Sequence, residues 1–142
     1  MRRRNRRDTA RGFADNVLME TPKIGTIGWV DLTVDDAPAL RDFYARVVGW
    51  KPDPVPMGGY DDYSMTAPET GQPVAGVCHR RGPNELLPPV WMVYFVVKNL
   101  EESLAEVEAR GGKVISRPAK PGPGHAVIQD PSGVFSSLYQ SA

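Results

Sequence analysis

Hydrophobic and polar positions alternate and recur along this chain in a way that repeats. Ile24–Val34 (IGTIGWVDLTV) is rich in apolar and β-branched residues. Its second half alternates with period two, which predicts a strand. Asp35 or Asp36 can cap a following helix, and Pro38 suits its first turn. Leu40, Phe43, Tyr44, Val47 and Val48 then fall on one helical face, which predicts a buried stripe, and Gly49 supplies a left-handed stop. Residues 50–59, with Pro52, Pro54, Pro56, Gly58 and Gly59, read as a loop, either structural or a lid. Short strands are expected around Tyr60–Thr66 and Pro73–Arg80, and Gly82–Pro89 reads as a linker.

The pattern then begins again. Val90–Val97 is an almost unbroken apolar strand, Asn99 is an N-cap, and Leu100, Leu104 and Val107 form a second stripe. Gly111-Gly112 ends that helix, and strands are expected at Lys113–Arg117, Gly124–Gln129 and Gly133–Gln140. Val34 and Val97, Asp36 and Asn99, and Gly49 and Gly112 are each related by one shift of 63 residues. The chain therefore reads as two β-α-β-β-β units, about 23–82 and about 88–142, within a single α+β domain over 23–142. Neither unit is large enough to close a core alone, so the two are expected to pack together.

Charge changes the picture only at the start. Net charge is zero, yet the first 12 residues hold six Arg and one Asp, leaving the remainder at −5. Residues 1–22 are expected to form a flexible Arg-rich arm, either a tether to an acidic partner or a solvated leader. The acidic body does not suit a nucleic-acid surface. A single cysteine, Cys78, excludes a disulfide framework and a cysteine zinc cluster. No apolar run is long enough to span a membrane, and the start lacks the apolar core of a secretory signal, so a cytoplasmic protein is expected.

Four segments carry a resemblance: IGWVDLTVDD (27–36), FYARVVGW (43–50), VYFVVKNLEESLAEVEARGGKV (93–114) and AVIQDPSGVFSSLYQ (126–140). They resemble the vicinal oxygen chelate (VOC) superfamily of glyoxalase I, bleomycin-resistance proteins and extradiol dioxygenases. The similarity is greatest to the lactoylglutathione-lyase-related branch. The resemblance implies two paired units whose curved mixed sheets enclose a cavity, and a homodimer. It also implies a metal site, whose positions fall on Trp29, Met92, Ser137 and the strand around Val74–Cys78. Trp and Met are not ligands for a hard divalent ion and a lone Ser hydroxyl is a poor one, so no metal and no cofactor are expected.

Strand periodicity then groups a cavity wall of Trp29, Asp31, Met92, Tyr94, Phe135, Ser137 and Tyr139, with Tyr63 and Met65 as possible additions. Such a lining suits a flat, moderately apolar organic ligand. Asp31 is either a general base with its pKa raised by desolvation or a strand-end charge held by a partner. Tyr94, at the equivalent place in the second unit, either faces it or is a core tyrosine. His125 is either an acid–base residue at the rim or an exposed loop residue. His79 is expected to be solvated, and Cys78 to be a small, partly buried hydrophobe. Two functions follow. One is a metal-free small-molecule-binding protein; the other is a metal-independent isomerase, lyase or cyclase using Asp31 with Tyr94 or His125.

Overall fold

The structure, a computed structural model, describes residues 22–142. The predicted arm therefore lies outside the described residues except for Pro22. Two compact units emerge, one formed by Val30–Trp91 and the other by Met92–Ala142 with the residues up to Trp29.

The first unit contains most of β1 (Ile27–Val34), then α1 (Ala37–Val48), β2 (Lys51–Pro56), β3 (Asp61–Thr66) and β4 (Pro73–His79). Its strand order is β2-β3-β4-β1, with β1 and β4 parallel and the other pairs antiparallel. Asp36 caps α1 by accepting the Ala39 N–H at 3.1 Å, and Gly49 ends it at φ 84°. Of residues 50–59, expected as a loop, Lys51–Pro56 form strand β2. Its three prolines alternate, so every missing N–H falls on one side, while Lys51, Asp53 and Val55 keep theirs. Proline in this phase suits a sheet edge and blocks further pairing there.

The helix-facing side holds Ala37, Tyr63, Met65, Ala75 and Val77, with Leu40, Tyr44, Trp50 and Trp91 packed against them. The predicted α1 stripe is too wide. Leu40 and Tyr44 pack, whereas Phe43, Val47 and Val48 are exposed. The reason is aromatic filling: Tyr44 meets the Trp91 ring edge-on at 5.0 Å and the Trp50 ring at 6.1 Å, and its hydroxyl accepts from the Trp91 indole. Those rings occupy the space a wider stripe would have filled.

The second unit contains β5 (Trp91–Val96), α2 (Leu100–Ala109), β6 (Lys113–Val114), β7 (Gly124–Gln129) and β8 (Phe135–Gln140), in the order β5-β8-β7-β6. Gly25 N–H donates to the Val96 carbonyl, and the Val96 N–H to that of Thr26, which ties the start of β1 to β5. Asn99 caps α2 through the Glu102 N–H at 3.0 Å, and Gln140 accepts the Leu100 N–H. The core is Leu100, Leu104, Ala126, Ile128 and Leu138. Gly112 is required by close approach, since a Cβ there would lie 2.8 Å from Val107 Cγ1 and 2.9 Å from the Gln129 carbonyl oxygen.

The two-unit α+β plan and the shift of 63 are present, and β3 and β7 obey the shift along their whole length. The expectation of curved sheets enclosing a cavity is overturned. Each unit's order is open, with β2 ending one and β6 the other, and neither closes on its first strand. Four short strands fall well below the roughly eight needed to close around side chains.

Candidate functional site

Residues paired across a ladder share a face, as do residues two apart on a strand. In the second unit Tyr94 pairs with Ser137, Ser137 with Val127, and Tyr139 with both Val96 and His125. Met92, Tyr94, Ser137, Tyr139 and His125 therefore lie on the face opposite α2, and Phe135 is in phase with them. Met92, Tyr94, Ser137 and Tyr139 are buried there, while Phe135 is half-buried. Trp29, at the end of β1 that belongs to this unit, is buried too. The Tyr94 and His125 rings meet at 5.7 Å with 44° between their planes.

Ser137 is fully buried, and among the described residues its hydroxyl has no hydrogen-bond partner. An unsatisfied buried hydroxyl costs about 1–3 kcal/mol, so a polar partner arriving from outside would be held there.

In the first unit Asp31 pairs with Gly76, Gly76 with Ser64, and Thr33 with Cys78. These residues lie opposite α1, and Asp62 is in phase with Ser64. Asp31, Thr33, Asp62, Ser64 and Cys78 are all buried. Tyr63 and Met65, expected at a cavity, lie on the helix side in the core. That is an error of one residue in the phase of β3, and one step along a strand reverses the face. The alternation in DDYSMT, read with the apolar residues toward the helix, would have found Asp62 and Ser64.

Cys78 is more than a small hydrophobe. Burial first, then the charges of Asp31 and Asp62, and finally a hydrogen bond to Asp62 push its thiol pKa well above the usual range. Cys78 therefore stays a protonated donor beside two carboxylates. His79, expected to be solvated, is held at Nδ1, 3.2 Å from Asp62 Oδ1, and the same oxygen accepts the His79 backbone N–H at 2.8 Å.

A divalent metal does not fit these residues. The positions the family resemblance assigns to ligands hold an indole, a thioether and a hydroxyl. The one donor on Val74–Cys78 is the protonated thiol. Among the described residues no group of three or more His, Cys, Asp or Glu could hold a metal ion.

A family profile described as the Glyoxalase/Bleomycin resistance protein/Dioxygenase superfamily matches residues 26–136. The chain belongs to this superfamily. Within it, 122 residues are 35% identical to CFP32 of Mycobacterium bovis, named as a candidate glyoxylase; they cover 82% of this chain and 46% of that protein. The anthracycline biosynthesis protein DnrV of Streptomyces peucetius is 32% identical over 117 residues, 82% of this chain and 42% of its own. The chain thus spans less than half the length of these curated relatives.

Solved structures share the fold. A Streptomyces coelicolor methylmalonyl-CoA epimerase variant in complex with 2-nitronate-propionyl-CoA superposes with a TM-score of 0.52 at 16% identity, covering 84% of this chain and 99% of that one. The Mn(II)-bound glyoxalase of Novosphingobium aromaticivorans gives 0.52 at 23% identity, covering 83% and 39%. No helix among the described residues is long and apolar enough to cross a membrane.

Proposed function

We propose that this VOC chain is a metal-independent enzyme of the isomerase or lyase type, acting on a small organic molecule held on the helix-free face of the second unit. The observation that carries this reading is the orphaned Ser137 hydroxyl, which stands beside Tyr94 in the β5–β8 ladder. That hydroxyl bonds a ligand oxygen. Tyr94 and His125, in ring contact, exchange a proton with the ligand, the phenol as acid and the imidazole as base. Trp29, Met92, Phe135 and Tyr139 supply the apolar and aromatic lining that a flat ligand needs. Asp31 serves as the acid–base group of the first unit's polar face.

Fold neighbours that bind CoA thioesters support an acyl-CoA substrate, and the relative named for anthracycline biosynthesis supports a flat aromatic one. The same reading takes the chain as a single domain over 23–142 preceded by an arm, acting as a cytoplasmic homodimer without nucleic acid.

The test is solvent-deuterium exchange at carbon bound next to a carbonyl, with methylmalonyl-CoA and a hydroxyanthraquinone ketone as probes. Full-length protein treated with chelator is expected to catalyse exchange into one of them. Tyr94→Phe and His125→Gln are each expected to lower the rate about 100-fold while leaving binding nearly unchanged. Binding of either probe without exchange would overturn the enzyme reading. It would establish instead the second function, a metal-free binding protein, which the aromatic lining favours.

A further inference from the structure

The first unit holds a histidine that this mechanism does not use. Asp62 is buried, and its Oδ1 faces both the backbone N–H and the Nδ1 of His79. A carboxylate accepts and does not donate, so the neutral imidazole carries its proton on Nδ1 and leaves the Nε2 lone pair open. The ring is not sealed in, since its side chain is 16% exposed. It lies edge-on to Tyr60 at 5.2 Å and tilted toward Tyr63 at 6.4 Å. The Arg81 guanidinium stands over the Tyr60 ring at 4.2 Å, and that of Arg41 over Tyr63 at 4.7 Å. Arg41 is paired with Asp42, whereas Arg81 makes no ion pair among the described residues.

We infer that His79, with its tautomer set by Asp62, is a second proton-accepting site that binds flat aromatic compounds through an acidic ring hydroxyl. The hydroxyl O–H bond breaks, its proton goes to His79 Nε2, and the electron pair stays on oxygen as a phenolate. Asp62 meets the charge of the imidazolium, and Arg81 meets that of the phenolate. Tyr60 flanks the ligand ring. No oxidant or co-reactant is needed. Cys78 donates to Asp62 from the neighbouring strand position, and Asp31 reaches that thiol only through its charge. This site shares no residue with the Tyr94–His125 pair, which belongs to the other unit, so the failure of one leaves the other intact.

Two measurements on the full chain test it. Long-range proton–nitrogen correlation reads the tautomer directly, and His125→Gln assigns the signals because the sequence has only two histidines. A proton on Nδ1 of His79 is expected; one on Nε2 would overturn the inference. The second probe is 4-nitrophenol, whose ionised form is yellow. Below the probe's own ionisation range, wild type is expected to bind it as nitrophenolate. His79→Gln and Asp62→Asn should each weaken that signal about tenfold or more. Circular dichroism confirms that each variant is folded. Absence of nitrophenolate with wild type, or an unchanged signal in a folded His79→Gln, would also overturn it.

Discussion

In the second unit Tyr94 and His125 stand ring against ring at 5.7 Å, whereas the residues 63 positions earlier, Asp31 and Asp62, are carboxylates that both act on the Cys78 thiol. The strands carrying these pairs have the same order and direction in each unit. Strand order and the helix-backed core layer are thus shared, whereas the side chains diverge on both faces and differ in charge on the helix-free one. The first unit carries its carboxylates in a buried polar layer with its own donors, Cys78 and His79. The second carries mostly rings, and leaves one hydroxyl, Ser137, unsatisfied. A repeated fold can therefore present two chemistries on the same face of its sheets.

The closure of each core is the first point to break. Met65, on β3, and Leu104, on α2, are each fully buried in the core of their unit. Met65→Ala and Leu104→Ala should each cost about 2–5 kcal/mol in urea unfolding. A cost below 1 kcal/mol in one unit would show that its core is not closed. The glycines come next. Gly112→Ala must displace the Gln129 carbonyl and should cost about 1–3 kcal/mol. Gly49→Ala meets open space and bears only backbone strain at φ 84°, so its cost should be about 1 kcal/mol.

Removing either helix cap, by Asp36→Ala or Asn99→Ala, should cost about 1 kcal/mol, and the two losses should match. Ser137→Ala should run the other way. Deleting an unsatisfied hydroxyl should raise the melting temperature slightly while weakening ligand binding.

The Cys78 thiol gives the smallest effect. Its folded pKa is raised, so the unfolded chain ionises first as pH rises. Its stabilisation is whole below the ordinary thiol range and declines from about pH 8 upward. A Tm-against-pH curve should show that decline in wild type and lose it in Cys78→Ala. Asp31→Asn should bring the thiol pKa down and narrow the window.

Most of the fold was legible because caps and stops are local. Asp36, Asn99, Gly49 and the Gly111-Gly112 pair act within one turn of where they stand. The shift of 63 depends only on their spacing. Which residues share the helix-free face was legible where a strand's phase could be anchored, as it was for Tyr94 and Ser137. It was not legible on β3, where Tyr63 and Met65 were placed on the wrong face and Asp62 was missed. The link between His79 and Asp62 joins two strand ends 17 residues apart, and no periodicity reports such a contact. The α1 stripe failed for a related reason, since the Tyr44, Trp50 and Trp91 rings come together only in the fold.

The central claim is that this family member works without a metal. It is tested most directly by elemental analysis of protein purified without nickel, incubated with manganese and zinc, then desalted, alongside the exchange assay in chelator. The account predicts no stoichiometric ion and an exchange rate that the chelator leaves unchanged. One retained divalent ion per chain, with exchange that vanishes on chelation and returns with the ion, would contradict it.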